Sequence, residues 1–312
     1  MRFFDAEATR AALPFERLIP ALRALFATGC EVPARQVLEI ASPAGAPMTS
    51  LIMPAWVAGG HYGVKIVNVA PANAARGLPG LHASYTLFDA TTGAPLALID
   101  GAELTARRTA AASALAAQWL ARADARHLLV VGAGRVARLL PGAYRCVRAI
   151  ERVTVWARSA GKAQALARDW RAAGIAAEAA HDLARAVAAA DIVSCATLAT
   201  EPLIHGRWLA PGSHLDLIGS FTPAMREADD EAFRGAALYV DTDEALAKSG
   251  DLLGPLARGV IAAADLRGTL ATLARGEVQG RRGVQERTVF KSVGSALEDL
   301  AAAMLVVQES GG

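Results

Sequence analysis

Lys65 lies in Val64-Lys65-Ile66-Val67-Asn68-Val69, where two-residue alternation puts it on the face of Val67 and Val69, with Val64 and Ile66 on the other. A lysine on a strand apolar on both faces is either an edge-strand gatekeeper or a desolvated functional amine, and the strand alone leaves both readings open. Arg107 and Arg108 follow Thr105, which reads as the N-cap of a helix over about 106–122. Cations in a first turn oppose the helix dipole, at a cost of about a few tenths of a kcal/mol. Either both arginines are solvated, or the chain accepts that cost to bind an anion, because helix N–H groups and a guanidinium together take a carboxylate bidentately. Arg35, opening a strand after Val32-Pro33, carries no signal by itself.

A second group centres on Leu128–Ala137, LLVVGAGRVA. It reads as a buried strand, a tight turn and the first turn of a helix. Gly132 allows the turn, Gly134 lets a pyrophosphate approach the backbone, and Ala137 lets the helix pack close to the strand. Phosphates then sit on the N–H groups at the helix start, Arg135, Val136 and Ala137. The strand Val153–Trp156 ends in Ala157-Arg158-Ser159, with no carboxylate for ribose hydroxyls. Arg158 can pair with a 2′-phosphate and Ser159 can hydrogen-bond it, so the reading is NADP(H) rather than NAD(H). The alternative is that Arg158 is only a solvated loop residue.

Residues 5–29 read as helices, with Asp5 as a cap and Leu18, Leu22 and Leu25 at helical spacing. Strands follow at 36–40, 48–55, 62–69, 84–89 and 95–100, with turns at Ser42-Pro43, Gly59-Gly60, Gly77 and Thr92-Gly93. Strands in succession without helices predict an antiparallel sheet or open barrel. From Arg126, strands at 128–131, 152–157, 176–179, 192–196, 213–218 and 237–240 alternate with helices at 135–145, 160–173, 182–189 and around 229–233. That is the pattern of an α/β, Rossmann-like doubly wound parallel sheet. Residues 242–283 read as helices and loops, and Val289–Gln308 as one helix. The expected division is a strand-rich α+β substrate domain over 1–122, joined by the returning C-terminal helix at about 293–312, and a dinucleotide-binding domain over 123–292.

The 312 residues, 53% of them hydrophobic, suit a globular chain with a sizeable core. A net charge of +2, spread along the chain, offers no footprint for nucleic acid. Cys30, Cys146 and Cys195 have neither disulfide nor zinc spacing, and no His, Cys or Asp cluster has metal spacing. The start, MRFFDAEATR, lacks a signal-length apolar core, and no run of about 18 apolar residues spans a membrane. The expected location is the cytoplasm.

Taken together, Val64-Lys65-Ile66-Val67-Asn68, Gly77-Leu78-Pro79, Leu104-Thr105-Ala106-Arg107-Arg108-Thr109-Ala110-Ala111, Gly132-Ala133-Gly134, Asp191–Thr197, Pro211-Gly212-Ser213-His214 and Phe290-Lys291-Ser292-Val293-Gly294 resemble the ornithine cyclodeaminase/mu-crystallin family. The resemblance covers most of the chain, from Arg35 to the C-terminal helix. It implies a homodimer joined through the strand-rich domain. It implies that Arg35, Lys65 and Arg108 surround a substrate carboxylate, with Lys65 the catalytic candidate, and that Thr109 and the Cys195-Ala196-Thr197 turn lie near the cofactor.

One departure separates the family's activities. The cyclodeaminase branch resembles Gly-x-Asp-x-Pro-Gly-Lys-x-Glu-Leu, with a catalytic Asp; here the segment from Gly219 to Asp229 has Phe221 in that place. A phenyl ring can neither exchange a proton with an amine nor orient water. The Gly-x-Phe-x-Pro-x-Met-Arg-Glu form looks like ketimine reductases acting on Δ1-pyrroline-2-carboxylate or Δ1-piperideine-2-carboxylate, giving L-proline or L-pipecolate. In that reading Gly219 faces the cofactor, while Phe221 and Thr222 face the substrate, Phe221 as an apolar wall. Ornithine cyclodeaminase with NAD, an NADPH-loaded mu-crystallin-like binding protein with little turnover, and an amino-acid dehydrogenase of the alanine dehydrogenase kind are the competing readings. Lys291 either faces the cofactor or caps a helix, and His214 reads first as a structural histidine.

Overall fold

The computed structural model describes residues 1–42 and 45–309; Pro43 of the expected Ser42-Pro43 turn and the expected last helical residues 310–312 lie outside the described residues. The chain divides into two compact units, Met1–Arg108 with Ser295–Gly312, and Thr109–Gly294. The division falls inside the helix Gly101–Leu120, whereas the sequence placed a border at 122. Residues from Thr109 onward are tied to the parallel sheet, as by the bond from Ser113 Oγ to Asp216.

The first unit holds strands β1 (Arg2–Phe4), β2 (Gln36–Ser42), β3 (Gly45–Trp56), β4 (His61–Val69), β5 (Leu81–Asp89) and β6 (Pro95–Asp100). Their order is β1-β6-β5-β4-β3-β2. β2 to β6 form the antiparallel meander expected, and β1, which the sequence reading left out, adds parallel to β6. Alternation buries Met53 and Ala55 of β3, Gly63, Lys65 and Val67 of β4, and Tyr85 and Leu87 of β5 on one face. The helices Phe15–Thr28 and Ala296–Glu309 pack together, and the latter lies on β3, β4 and β5. Leu18, Leu22 and Leu25 form the inner stripe of the former.

Two helix starts differ from expectation. The helix placed at 106 begins at Gly101, because the Asp100 carboxylate accepts from the Glu103 N–H at 2.7 Å and caps it. A Cβ on Gly101 would lie 2.7 Å from backbone atoms of Ala83 and Ser84, so the helix must enter on a glycine. Arg107 and Arg108 therefore lie in the second turn, and the dipole argument does not apply to them. The helix expected from Val289 begins at Ala296 and is preceded by a strand, Thr288–Lys291. That strand is buried on both faces, so it shows no alternation and reads as part of an apolar helix.

The second unit holds β7 (His127–Val131), β8 (Arg152–Trp156), β9 (Ala177–Ala179), β10 (Ile192–Cys195), β11 (His214–Leu217), β12 (Ala237–Val240), β13 (Leu266–Thr269) and β14 (Thr288–Lys291). All pairs are parallel, in the order β13-β12-β14-β11-β10-β7-β8-β9. This is a Rossmann-like sheet, extended past β11 by the out-of-sequence strand β14. The order reverses between β7 and β10, the switch point outside whose strand ends such folds bind ligands. No helix among the described residues is long and apolar enough to cross a membrane.

Candidate active site

The second unit places its glycine turn at the carboxyl end of β7, at the switch point. Gly132 adopts φ 120° and donates its N–H to Trp156 O at 2.8 Å. A Cβ there would lie 2.5 Å from Ala196 O, so the turn after β7 presses against the loop after β10. Gly134 has an ordinary φ of −84°, and a Cβ on it would meet nothing within 4 Å. It faces open space at the start of the helix Arg135–Arg145, which no side chain caps. Arg135, Val136 and Ala137 form its first turn, with Ala137 buried. A cavity of about 350 Å³ opens there, bounded by Gly132, Gly134, Ala196 and Thr197 on one side and by Arg158, Ser159 and Lys162 on the other. An open glycine before uncapped helix N–H groups, beside exposed cationic side chains, fits a dinucleotide's phosphates. Ser159 Oγ accepts from Lys162 N at 3.4 Å, capping the helix Ala160–Ala172. Lys162, one helical turn beyond Arg158, is a lining cation the sequence reading missed.

The loop after β10, which lines this cavity through Thr197, is tied to the loop after β11. Glu227, fully buried, accepts from the N–H and hydroxyl of Thr197 and from the N–H of Gly219. Phe221 is about half exposed, and Thr222 O accepts from Met225 N and Gly250 N. Lys291 neither caps a helix nor lines the cavity: buried, it donates to Leu217 O at 2.8 Å and stands 3.7 Å from Asp251. His214 is buried against Thr288 Oγ1 at 2.9 Å, and burial first, then Arg281 and Arg148, pull it down to about 3. It is a neutral core histidine.

The first unit gathers Lys65 and Arg108. Lys65 Nζ stands 2.5 Å from Asp299 Oδ2; Arg108 donates from Nε to Asp299 Oδ1 at 2.9 Å and from Nη1 to Glu298 Oε2 at 2.7 Å. All four side chains are buried, with Lys65 2% exposed. Two cations and two carboxylates make a neutral cluster, where the sequence suggested uncompensated cations. Burial pulls Lys65 down to about 8, with Arg108 adding to the fall and Asp299 opposing it. Burial would lower Arg108 too, but Asp299 and Glu298 outweigh it and hold the guanidinium raised. Burial would raise Asp299, and Lys65 and Arg108 hold it below the usual carboxylate range. Tyr85 pairs with Lys65 across β4 and β5, its ring filling the space left by Gly63. Arg107 serves elsewhere, donating to Leu13 O at 2.7 Å and lying over the Phe15 ring. Arg35 stands half-buried just before β2, with β3 between β2 and β4. Thr109 is half-buried at the start of the second unit. The readable signal for Glu298 and Asp299 is an acidic pair opening a stretch that is otherwise apolar up to Val307.

A family model for the ornithine cyclodeaminase/mu-crystallin family matches residues 21–311. The chain belongs to that family. A Δ1-pyrroline-2-carboxylate reductase of Paracoccus denitrificans is 42% identical over 288 residues, covering 91% of this chain and 90% of the relative. The structure of the Thermococcus litoralis Δ1-pyrroline-2-carboxylate reductase, in complex with NADH and L-proline, superposes with a TM-score of 0.92 at 33% identity, covering 99% of this chain and 97% of that one. An archaeal alanine dehydrogenase dimer with bound NAD superposes with a TM-score of 0.91 at 27% identity, covering 99% and 96%. Among the described residues no group of three or more His, Cys, Asp or Glu side chains is placed to hold a metal ion.

Proposed function

We propose that this family member is a nicotinamide-dependent oxidoreductase that reduces the C=N bond of a cyclic imino acid, Δ1-pyrroline-2-carboxylate or its six-membered homologue. The observation that carries the reading is the buried Lys65–Asp299–Arg108–Glu298 cluster on a chain that also builds a dinucleotide cradle. A reduced nicotinamide dinucleotide held at Gly132, Gly134 and the start of the helix Arg135–Arg145 would supply the hydride for C2 of the protonated imine, the C=N π pair passing to nitrogen. Because the iminium is already an electrophile, the protein's part is mainly positioning. Glu298 and Asp299 hold the Arg108 guanidinium by Nε and Nη1 and so fix its plane for a substrate carboxylate; Lys65, cationic below about pH 8, adds the second charge. Arg35 is the third cation of this reading. Phe221 offers an apolar surface and no exchangeable proton, which favours reduction over ornithine cyclisation. The test is a matrix of NADPH and NADH against both cyclic imines, with ornithine plus NAD as control. Oxidation of reduced cofactor by either imine is expected; none with both rings, or ammonia release from ornithine instead, refutes the proposal.

The cofactor of this reading is NADP(H). Exposed Arg158, Ser159 and Lys162 meet at the cavity edge where a 2′-phosphate would lie, and no carboxylate is among its lining residues. Arg158→Asp is expected to weaken NADPH at least about tenfold more than NADH, read by fluorescence titration. Equal losses for the two cofactors would remove the argument.

The working assembly of this reading is a homodimer. Leu38 and Ile40 of β2 and Ile66 of β4, which the strand register places on one face of the first unit's sheet, are all exposed. An apolar sheet region of this kind needs a cover, and a second copy is the occupant favoured by the dimer of the similar alanine dehydrogenase. Light scattering should give twice the chain mass, and Leu38→Glu with Ile40→Glu should give the monomer. A wild-type monomer at micromolar concentration would count against the assembly.

A further inference from the structure

Glu227 is a fully buried carboxylate that reaches two loops at once. Its Oε1 accepts from Thr197 N and Thr197 Oγ1, each at 2.8 Å, and its Oε2 accepts from Gly219 N at 2.7 Å. Thr197 belongs to the loop after β10 and lines the dinucleotide cavity; Gly219 belongs to the loop after β11. The loops touch so closely that a Cβ on Gly219 would lie 1.9 Å from Thr197 O and 2.5 Å from Glu227 Oε1.

Glu227 is itself held rigidly. Its N–H donates to Asp251 Oδ1 at 2.8 Å, and its carbonyl accepts from Leu203 N and Ile204 N, each at 2.9 Å. Three groups face the carboxylate electrostatically: Lys291 from β14, Asp251 from the helix Gly250–Ala257, and Cys195 from β10. Lys291 is also 3.7 Å from Asp251, so one ammonium is shared by two carboxylates. Burying an ionised carboxylate on those terms costs the fold. What it provides in return is three acceptor contacts, all directed at backbone or hydroxyl donors of the two loops.

We propose that Glu227 is a positioning residue of the cofactor site: ionised, it clasps the Thr197 and Gly219 loops together, and protonated, it holds them more weakly. The proposal rests on the dinucleotide-dependent reading above. Oε2 accepts only from Gly219 N, so a proton there turns that oxygen into a hydroxyl, a poorer acceptor, and removes the charge that strengthens all three contacts. Burial pushes Glu227 up to about 7, Asp251 adds to the rise, and Lys291 and the Thr197 contacts oppose it. A carboxylate with a raised value is protonated on going down through that value, so the clasp loosens below about pH 7 and dinucleotide affinity falls with it.

NADH is the probe, because its phosphodiester groups do not titrate near neutrality, and binding needs no turnover. Fluorescence titration from about pH 8.5 to about pH 5.5 should show the wild-type Kd rising about tenfold, about 1.4 kcal/mol, with a midpoint near 7. Glu227→Gln, which sets an amide donor against one loop donor, should bind at the upper pH as weakly as wild type at the lower, with no midpoint near 7. A purely structural role would lower thermal stability in the variant without moving that midpoint. A flat wild-type profile overturns the proposal, and that measurement needs no variant to fold. So does a Glu227→Gln profile that keeps the wild-type curve, which would belong to another buried group such as Asp216, pushed up to about 6. NADH bound with this pH dependence but no imine reduced would refute the proposed function and leave the Glu227 assignment standing. No saturable NADH binding at any pH overturns both.

Discussion

Asp299→Asn is expected to destabilise the protein by about 3 kcal/mol or more and to move the alkaline limit of imine reduction to lower pH. Asp299 is the shared partner of Lys65 and Arg108, and all three are buried. Neutralising it leaves two buried cations facing Glu298 alone, and an uncompensated buried charge is among the most damaging single changes. Asp299's own value is depressed, so its stabilising contribution is present above the usual carboxylate range and is lost as pH falls through its folded value. The gap between wild type and variant, read by urea denaturation, should therefore narrow in acid. The kinetic effect comes through Lys65, which Asp299 keeps from falling further than about 8. Without Asp299 the lysine loses its proton at lower pH, and the descending limb of kcat/KM follows it. A variant as stable as wild type, with an unmoved limb, would show that the cluster does neither job.

Gly132→Ala and Gly134→Ala are expected to fail in opposite ways, although both are glycines of one loop. At Gly132 the backbone is at φ 120° and the added carbon would lie 2.5 Å from Ala196 O. Strain of about 1–3 kcal/mol is added to a clash with main chain that cannot swing aside, so stability falls before any ligand is considered. At Gly134 the backbone suits any residue and the added carbon meets nothing within 4 Å. Stability should change by no more than about 1 kcal/mol, because the smaller unfolded-state entropy is set against alanine's poorer fit at a helix N-cap. Dinucleotide affinity should fall at least about tenfold, because the methyl occupies the pyrophosphate's approach. Thermal denaturation without ligand and NADH titration separate the two variants. Equal behaviour would mean that this cavity edge is not where phosphate sits.

Much of the second unit is legible in the chain itself. Short apolar runs alternating with capped helices encode a parallel sheet, and Gly-Ala-Gly after a strand marks its switch point, because those signals are local. The meander of the first unit is equally local, written in alternation and turns. Strand β14 is buried on both faces and the edge strand β13 is half-buried throughout, so neither shows the two-residue period that marks a strand in sequence. Arg108 lies in the second turn of a helix that begins at Gly101, so its importance comes from Glu298 and Asp299, which it touches, and not from the helix dipole.

Residue types and their spacing determined that this chain carries a dinucleotide turn, a lysine inside an apolar strand and an arginine pair on one helix. Only the tertiary structure decided how those charges are compensated. Asp299 meets Lys65 across more than 230 residues of sequence, Glu298 meets Arg108 across 190, and Glu227 joins the loops that hold Thr197 and Gly219. Opposite charges in a buried cluster are selected by distance in space and by the penalty for leaving either one unpaired, and neither quantity has a period that can be read along the chain.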